Sequence, residues 1–179
     1  MSKNTKFLAL TAVGIALFVV LSLCLQVPVF ENYYLCLGYV AVAVYCCSFG
    51  TLSGTLVGFF GVILYCLVID GLRGLPGWAL GNLAIAPALG LYFRLARPMK
   101  SRALRLLLAV PVIVAACALG ILVIKSETES LLYLQPFAIR AGKNLSAFIA
   151  DAAVLILSLP VCELLDRPAR RLFPDLARP

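Results

Sequence analysis

Long apolar runs separated by short polar stretches make up most of this chain of 179 residues. Each run is longer than the roughly ten residues of a barrel strand and lacks alternation of apolar and polar positions, so the runs predict helices. Six helices are predicted, near 7–27, 35–49, 51–69, 78–94, 104–124 and 143–164. The second is at the lower limit for crossing about 30 Å of hydrocarbon. An alternative interpretation therefore makes 35–69 one long broken hairpin.

The composition indicates an integral membrane protein. Hydrophobic residues make up 63% of the chain and charged residues 13%, whereas a soluble domain is about half apolar and about a quarter charged. We therefore predict an all-α integral membrane fold, a compact bundle of six transmembrane helices in a single membrane domain over residues 1–179. The chain has no histidine. Imidazole metal sites and His-dependent catalytic triads are thereby excluded, and we expect no catalytic residue and no metal site.

The basic residues predict the orientation of the bundle. If the N-terminus is cytoplasmic, the outer loops are 28–34, 70–77 and 125–142. Of the 15 lysines and arginines, only four then lie outside, namely Arg73, Lys125, Arg140 and Lys143. Lysine and arginine are enriched in cytoplasmic loops, so both termini are predicted to be cytoplasmic. The net charge of +7 thus reflects topology, and we expect no nucleic-acid partner.

Small residues at helical spacing predict close contacts between helices. Gly50, Gly54 and Gly58 lie four apart and therefore share one helix face, where small side chains let backbones approach in a membrane. Ala12 and Ala16 form a similar pair in the first predicted helix. For this pair, internal packing and contact with a separate membrane subunit are equal alternatives.

Polar and aromatic residues concentrate on the predicted outer side and suggest a ligand pocket there. The candidate residues are Asn32, Tyr33, Tyr34, Arg73, Trp78, Asn82, Tyr133, Arg140, Asn144 and Asp151. Aromatic rings and neutral amides suit the walls of a small-molecule site, and the arginines suit a carboxylate or phosphate. The alternative for any single tyrosine or for Trp78 is an aromatic belt at the membrane surface.

Asp151 is the candidate buried deepest in the bilayer. It follows Asn144 by seven residues, which is roughly 10 Å along a helix that rises about 1.5 Å per residue. A carboxylate at mid-bilayer costs about 2.5–3.5 kcal/mol, so Asp151 should face the bundle interior and have a polar partner. The sequence does not identify that partner. A structural polar link and the floor of a ligand site are equal alternatives.

These features resemble the substrate-binding S components of energy-coupling factor (ECF) transporters. The resemblance is carried by the six-helix pattern, the Ala12–Ala16 pair, and the stretches PVFENYYLCLGYVAVAVYCCSFG and GLRGLPGWALGN. It is strongest to the bacterial group that includes the cobalamin carrier of lactobacilli. The resemblance implies that the chain lies in the bacterial cell membrane and captures a vitamin, cobalamin first, from outside. Ala12 and Ala16 would dock onto a membrane coupling subunit driven by two ATPases, and toppling would deliver the vitamin inward.

The resemblance also sets the expectations for cofactors and the alternatives. The vitamin is a transported substrate, so no cofactor is expected. Family members that carry nickel or cobalt use N-terminal histidine ligation, and the lack of histidine here argues against a bare-metal substrate. Because G-x-x-x-x-G-K-[ST] is absent, ATP hydrolysis is expected only in partner subunits. Riboflavin or another B vitamin is the alternative substrate, and a membrane scaffold without a small ligand is the rival class.

Overall fold

The computed structural model describes residues 2–24, 28–30, 33–69, 71–72, 74–174 and 176, and for 28–30 and 33–34 it describes only the backbone. This part of the chain forms helices and one short strand pair. The helices are α1 Lys3–Cys24, α2 Gly38–Ser48, α3 Thr51–Val68, α4 Leu75–Ala96, α5 Arg102–Cys117, a π-helical segment Ala118–Lys125, α6 Ser126–Tyr133 and α7 Phe137–Leu172. The strands are β1 Pro28–Phe30 and β2 Tyr33–Tyr34.

The predicted helical membrane architecture is confirmed. In the described part of the chain, five helical units are long and apolar enough to cross a membrane: α1, α3, α4, α7 and the continuous unit Arg102–Tyr133 formed by α5, the π-helical segment and α6. The helix α2, with 11 residues, is apolar but shorter. The count of six spans and the orientation of the termini remain predictions.

The apolar run 35–69 forms two helices rather than one broken hairpin. The helices α2 and α3 meet at Phe49 and Gly50, and Gly50 has a φ of 95°. This left-handed conformation suits glycine because a side chain would be strained there. The helix α2 lies at the centre of the bundle and contacts α1, α3, α4 and α7. Because nearly all of its residues are buried among other helices, it can be short and still belong to the core.

The predicted outer loops contain more regular structure than the sequence suggested. The first loop forms the antiparallel pair β1–β2, with Pro28 opposite Tyr34 and Phe30 opposite Tyr33. The interval 125–142, predicted as a loop, is mostly helical, and only 134–136 form the turn between α6 and α7. The apolar pattern ended near residue 124 because the sequence SETES is polar. A helix that extends beyond the hydrocarbon does not need apolar residues, so the pattern missed α6.

Glycine permits the closest backbone approaches of the bundle. A Cβ atom added to Gly81 of α4 would lie 2.5 Å from the carbonyl oxygen of Gly120 in the π-helical segment. A Cβ added to Gly90 would lie 2.5 Å from Cα of Thr51 in α3. Since backbone atoms cannot move aside as a flexible side chain can, these two positions hold α4 directly against its neighbours. The predicted contact at Gly54 is confirmed, because Gly54 lies against the backbone and thiol of Cys46 in α2. Gly50, predicted to share this helix face, instead forms the turn before α3.

We predict that Gly81→Ala destabilises the folded chain. The added methyl group must push α4 and the π-helical segment apart, and overpacking of this kind costs about 1–3 kcal/mol. The measurement is the thermal unfolding midpoint in detergent, which should fall. The matched control is Gly142→Ala in α7, where nothing lies within 4 Å of the added Cβ, so the midpoint should stay level or rise. Equal midpoints for the two variants would contradict the close contact.

We predict that the turn between α6 and α7 is extracellular and the start of α5 is cytoplasmic. Cys24 is the exposed cysteine among the seven, and the other six are buried, so Cys24→Ser provides the labelling background. Leu134→Cys places a probe at a turn residue that is 92% exposed, and Ser101→Cys places one at the exposed N-cap of α5. An impermeant maleimide added to whole cells should label position 134 and spare position 101. The reverse pattern would overturn the topology.

Candidate functional site

A cavity of about 240 Å³ lies at the end of the bundle where α3 connects to α4. Residues from before α2, from the end of α3, from the start of α4, from the end of the π-helical segment and from the middle of α7 line it. They are Leu35, Cys36, Tyr65, Cys66, Ile69, Gly71, Gly74, Trp78, Lys125, Ala147 and Asp151. The lining is mainly apolar with a few converging polar groups, which is the usual character of a small-molecule site.

Two aromatic side chains form one wall of this cavity. The rings of Tyr65 and Trp78 meet edge to face, with centroids 5.8 Å apart and an interplanar angle of 88°. Behind them, Phe18 of α1 lies 6.5 Å from the Trp78 ring and is fully buried. Edge-to-face packing of this kind holds rings in fixed orientations. The wall is therefore a preformed apolar surface on which a flat ligand ring can stack against one of the two rings and meet the edge of the other.

Tyr39 lies between this wall and Asp151. The Trp78 indole Nε1–H donates to the Tyr39 hydroxyl oxygen over 3.0 Å, and the same hydroxyl is close enough to the Asp151 carboxyl to interact with it. An indole nitrogen can only donate. The Tyr39 oxygen therefore accepts from Trp78, and its own proton is available to a neighbouring acceptor.

Lys125 faces the cavity because of the π-helical segment. Buried residues in and just after the π-helical segment lie five apart, as do Gly120 and Lys125, and also Ile121 and Ser126. In an α-helix, residues five apart would lie on different faces. The Ser126 hydroxyl donates to the carbonyl of Ile121 over 3.1 Å, which is also a five-residue step. π-helical turns are rare and occur often at functional sites. Here the wider turn brings the Lys125 side chain to the same interior surface as Asp151.

Gly77 gives Lys125 its space against α4. A Cβ on Gly77 would lie 3.0 Å from the Lys125 carbonyl oxygen and 3.1 Å from its Cγ atom. The stem of Lys125 thus lies directly on the α4 backbone, one residue before Trp78. Lys125 is 9% exposed and Asp151 is 6% exposed, and Lys125 attracts Asp151 electrostatically. The polar neighbours of Asp151 that the sequence did not identify are therefore Lys125 and Tyr39.

Asn82 lies behind Trp78 rather than in the cavity lining. Its amide nitrogen donates to the carbonyl oxygen of Trp78 over 3.1 Å, one turn earlier in α4. Its Oδ1 atom is buried and has no hydrogen-bond partner within the described part of the chain. The predicted shared face of Trp78 and Asn82 is confirmed, and the structure places Asn82 as a support for the backbone that carries the aromatic wall.

Asn144 belongs to a second polar cluster, which joins α6 to α7 and which we call the α6–α7 clasp. It comprises Ser126, Glu129, Tyr133, Arg140 and Asn144. The Asn144 amide donates to Ser126 Oγ over 3.1 Å and to Glu129 Oε2 over 3.0 Å. Arg140 lies 3.8 Å from the same carboxylate oxygen of Glu129 and 4.5 Å above the Tyr133 ring. The clasp thus satisfies a buried carboxylate and fixes the start of α7.

The structure separates the predicted site residues into groups. Trp78 and Asp151 line the cavity, and Tyr133, Arg140 and Asn144 form the α6–α7 clasp. Tyr33 and Tyr34 are described only as the backbone of β2, and Asn32 and Arg73 lie outside the described residues. Tyr39 was not among the residues predicted from the sequence, and Lys125 was predicted only as a charge in an outer loop. One feature of the sequence could have identified Lys125. It stands at the end of an apolar run, and the buried Asp151 needs a cation nearby.

Ala12 and Ala16 lie on the outward face of α1. Both are exposed, and the larger apolar residues Leu8, Val13 and Leu17 are exposed on the same helix. Internal packing, one of the two alternatives for this pair, is therefore not its role. The other face of α1 packs inward through Gly14 and Phe18. The alanine pair is free to meet lipid or another membrane protein.

One comparison with known proteins gives a match. A family model described as "ECF-type riboflavin transporter, S component" matches residues 2–166, which include every residue that lines the cavity. No curated protein and no solved structure matches the chain.

Proposed function

Because the chain belongs to the family of ECF-type riboflavin transporter S components, we propose that it captures riboflavin from outside the cell in the cavity between α3, α4 and α7. Membership makes the chain a membrane-embedded subunit of a vitamin transporter that works with the subunits of an ECF module. The family is one of transport proteins rather than of enzymes.

The cavity is the observation that supports riboflavin most directly. Its volume of about 240 Å³ is just below the range of about 300–1,000 Å³ typical of small-molecule sites. Riboflavin is a flat three-ring system with one hydroxylated chain, whereas cobalamin, with its corrin, amide arms and nucleotide, is several times larger. The Tyr65–Trp78 wall matches a flat ring. Cobalamin, which the sequence resemblance favoured, would require the cavity to widen greatly.

Delivery is proposed to follow from docking through α1. A membrane coupling subunit would pack its own small or apolar residues against Ala12 and Ala16, since close helix contact in lipid relies on small side chains. Two ATPases would drive that subunit, and toppling of the bundle would carry the vitamin inward. The exposure of the alanine pair supports this role, because a docking face must be accessible in the isolated chain.

We predict that riboflavin quenches the fluorescence of the purified protein. The chain has one tryptophan, and Trp78 lies in the cavity wall, so its emission reports occupancy of the cavity. Trp78→Ala should weaken riboflavin binding by about 1–3 kcal/mol, or roughly five- to 150-fold, when affinity is measured by calorimetry. Trp78→Phe keeps an aromatic surface and should lose less.

The matched control for this titration is Phe60→Ala, which removes an exposed aromatic side chain from α3 and should leave the affinity unchanged. Cobalamin and cobinamide are titrated alongside riboflavin. Binding of cobalamin alone would replace riboflavin by cobalamin as the substrate within the same family. Binding of neither vitamin by folded protein would refute the proposed substrate class.

We predict that replacing Ala12 and Ala16 together by Trp abolishes riboflavin uptake by cells that express the coupling subunit and the ATPases. Binding of riboflavin to the isolated chain should be nearly unchanged, because both residues lie on the outward face of α1. Ala115→Trp, at an exposed position of α5, is the control and should preserve uptake. Uptake that survives in the double variant would show that the pair faces lipid only.

A further inference from the structure

The cavity wall carries a buried pair of opposite charges beside its aromatic surface. Asp151 and Lys125 both line the cavity, and each is more than nine-tenths buried. Charged side chains in a membrane interior are costly and commonly mark functional sites. A buried ion pair, moreover, often stabilises a fold no better than apolar residues of similar volume. The pair is therefore poorly explained by stability and well explained by a polar ligand group that enters the cavity.

The two side chains bring several hydrogen-bonding positions to the same cavity. A carboxylate offers about four acceptor positions and an ammonium offers three donors. Lys125 attracts Asp151 electrostatically, and the Tyr39 hydroxyl lies near the same carboxyl group. At the cavity surface Asp151 can thus accept a ligand hydrogen, while Lys125 beside it can donate to a ligand oxygen. The complementary ligand has an N–H group flanked by a carbonyl oxygen.

The position of the pair relative to the aromatic wall selects the ligand edge. Trp78 and Asp151 line the same cavity, and the Tyr39 hydroxyl that accepts from Trp78 lies near Asp151. A flat ring lying on the Tyr65–Trp78 wall would therefore present its rim, rather than its face, to the carboxylate. The riboflavin ring system has a cyclic imide at one rim, in which an N–H group lies between two carbonyl groups.

We propose that Asp151 and Lys125 recognise the imide edge of the vitamin ring, with the Asp151 carboxylate accepting the imide N–H and the Lys125 ammonium donating to an adjacent carbonyl oxygen. This inference rests on the proposed function, because it assumes that a flavin occupies the cavity. It orients the ligand, since the hydroxylated chain must then point away from the pair. Gly77 acts as a positioning residue because it seats the stem of Lys125 against α4.

The test compares riboflavin with riboflavin methylated at the imide nitrogen, using the purified full chain. Methylation removes the hydrogen that Asp151 would accept. The affinity of the unaltered chain should therefore fall roughly 10- to 150-fold, the range for a hydrogen bond to a charged group. Lumiflavin, which lacks the hydroxylated chain but keeps the imide, should still be bound more tightly than the methylated vitamin. This arm needs no mutation and so does not depend on a variant that folds.

The second arm is a cycle of ligand and protein changes. Asp151→Ala combined with Lys125→Met removes both charges, so neither remains buried without its partner. The variant should bind riboflavin roughly 10- to 150-fold more weakly, and the penalty for methylation should shrink to about twofold, because coupled groups are not additive. Asp166→Asn, a carboxylate change far along α7 that does not line the cavity, is the control and should keep the full penalty.

Two outcomes would overturn the inference while the proposed function stands. In the first, riboflavin and its methylated form bind the unaltered chain equally well. In the second, the double variant keeps the full methylation penalty, which would mean that other groups recognise the imide. Absence of riboflavin binding by the folded, unaltered chain would refute the proposed function itself, and with it the inference.

Discussion

The compensation of Asp151 by Lys125 is the constraint on which the rest of the site depends. A carboxylate inside the bundle must find a cation and hydrogen-bond donors, because the surrounding apolar side chains offer neither. Lys125 lies in the same cavity lining because the π-helical segment alters the helical phase of the chain between α5 and α6. Tyr39 lies near the same carboxylate and is held by Trp78. The aromatic wall and the charged pair are consequently one connected unit rather than two independent features.

Close backbone contact is what makes room for this unit in so small a bundle. Gly81 meets Gly120 backbone to backbone, and Gly77, one turn away in α4, meets Lys125. Both contacts lie on the same face of α4, so this helix acts as the surface against which the π-helical segment is positioned. The α6–α7 clasp completes the arrangement, since Asn144 and Glu129 fix α7, which carries Asp151. The α6–α7 clasp, which does not line the cavity, thus supports Asp151 and Lys125, which do.

The sequence predicted the parts of this architecture that follow from hydropathy and spacing. The membrane helices, the glycine contact at Gly54 and the burial of Asp151 required only apolar runs and helical periodicity. For the Ala12–Ala16 pair the sequence left internal packing and an outward contact open, and the structure decides for the outward position. The π-helical segment was not predictable in this way, because eight consecutive residues of a mainly apolar run read equally well as α-helix. Because the sequence did not reveal this change of helical phase, Lys125 was assigned to an outer loop. The polar neighbours of Asp151 therefore remained unidentified. Tyr39 was hidden for a similar reason, since a tyrosine in an apolar helix gives no sign that its hydroxyl accepts a hydrogen bond.

The vitamin that stays bound to the protein during purification identifies the substrate. A high-affinity vitamin site should retain ligand from a host that makes or takes up the vitamin. We expect that heat-denatured protein, purified from cells grown with both riboflavin and cobalamin, releases a flavin that mass spectrometry identifies as riboflavin in near-stoichiometric amount. The release of a corrinoid instead, or of no vitamin from folded protein that also fails to bind added riboflavin, would contradict it.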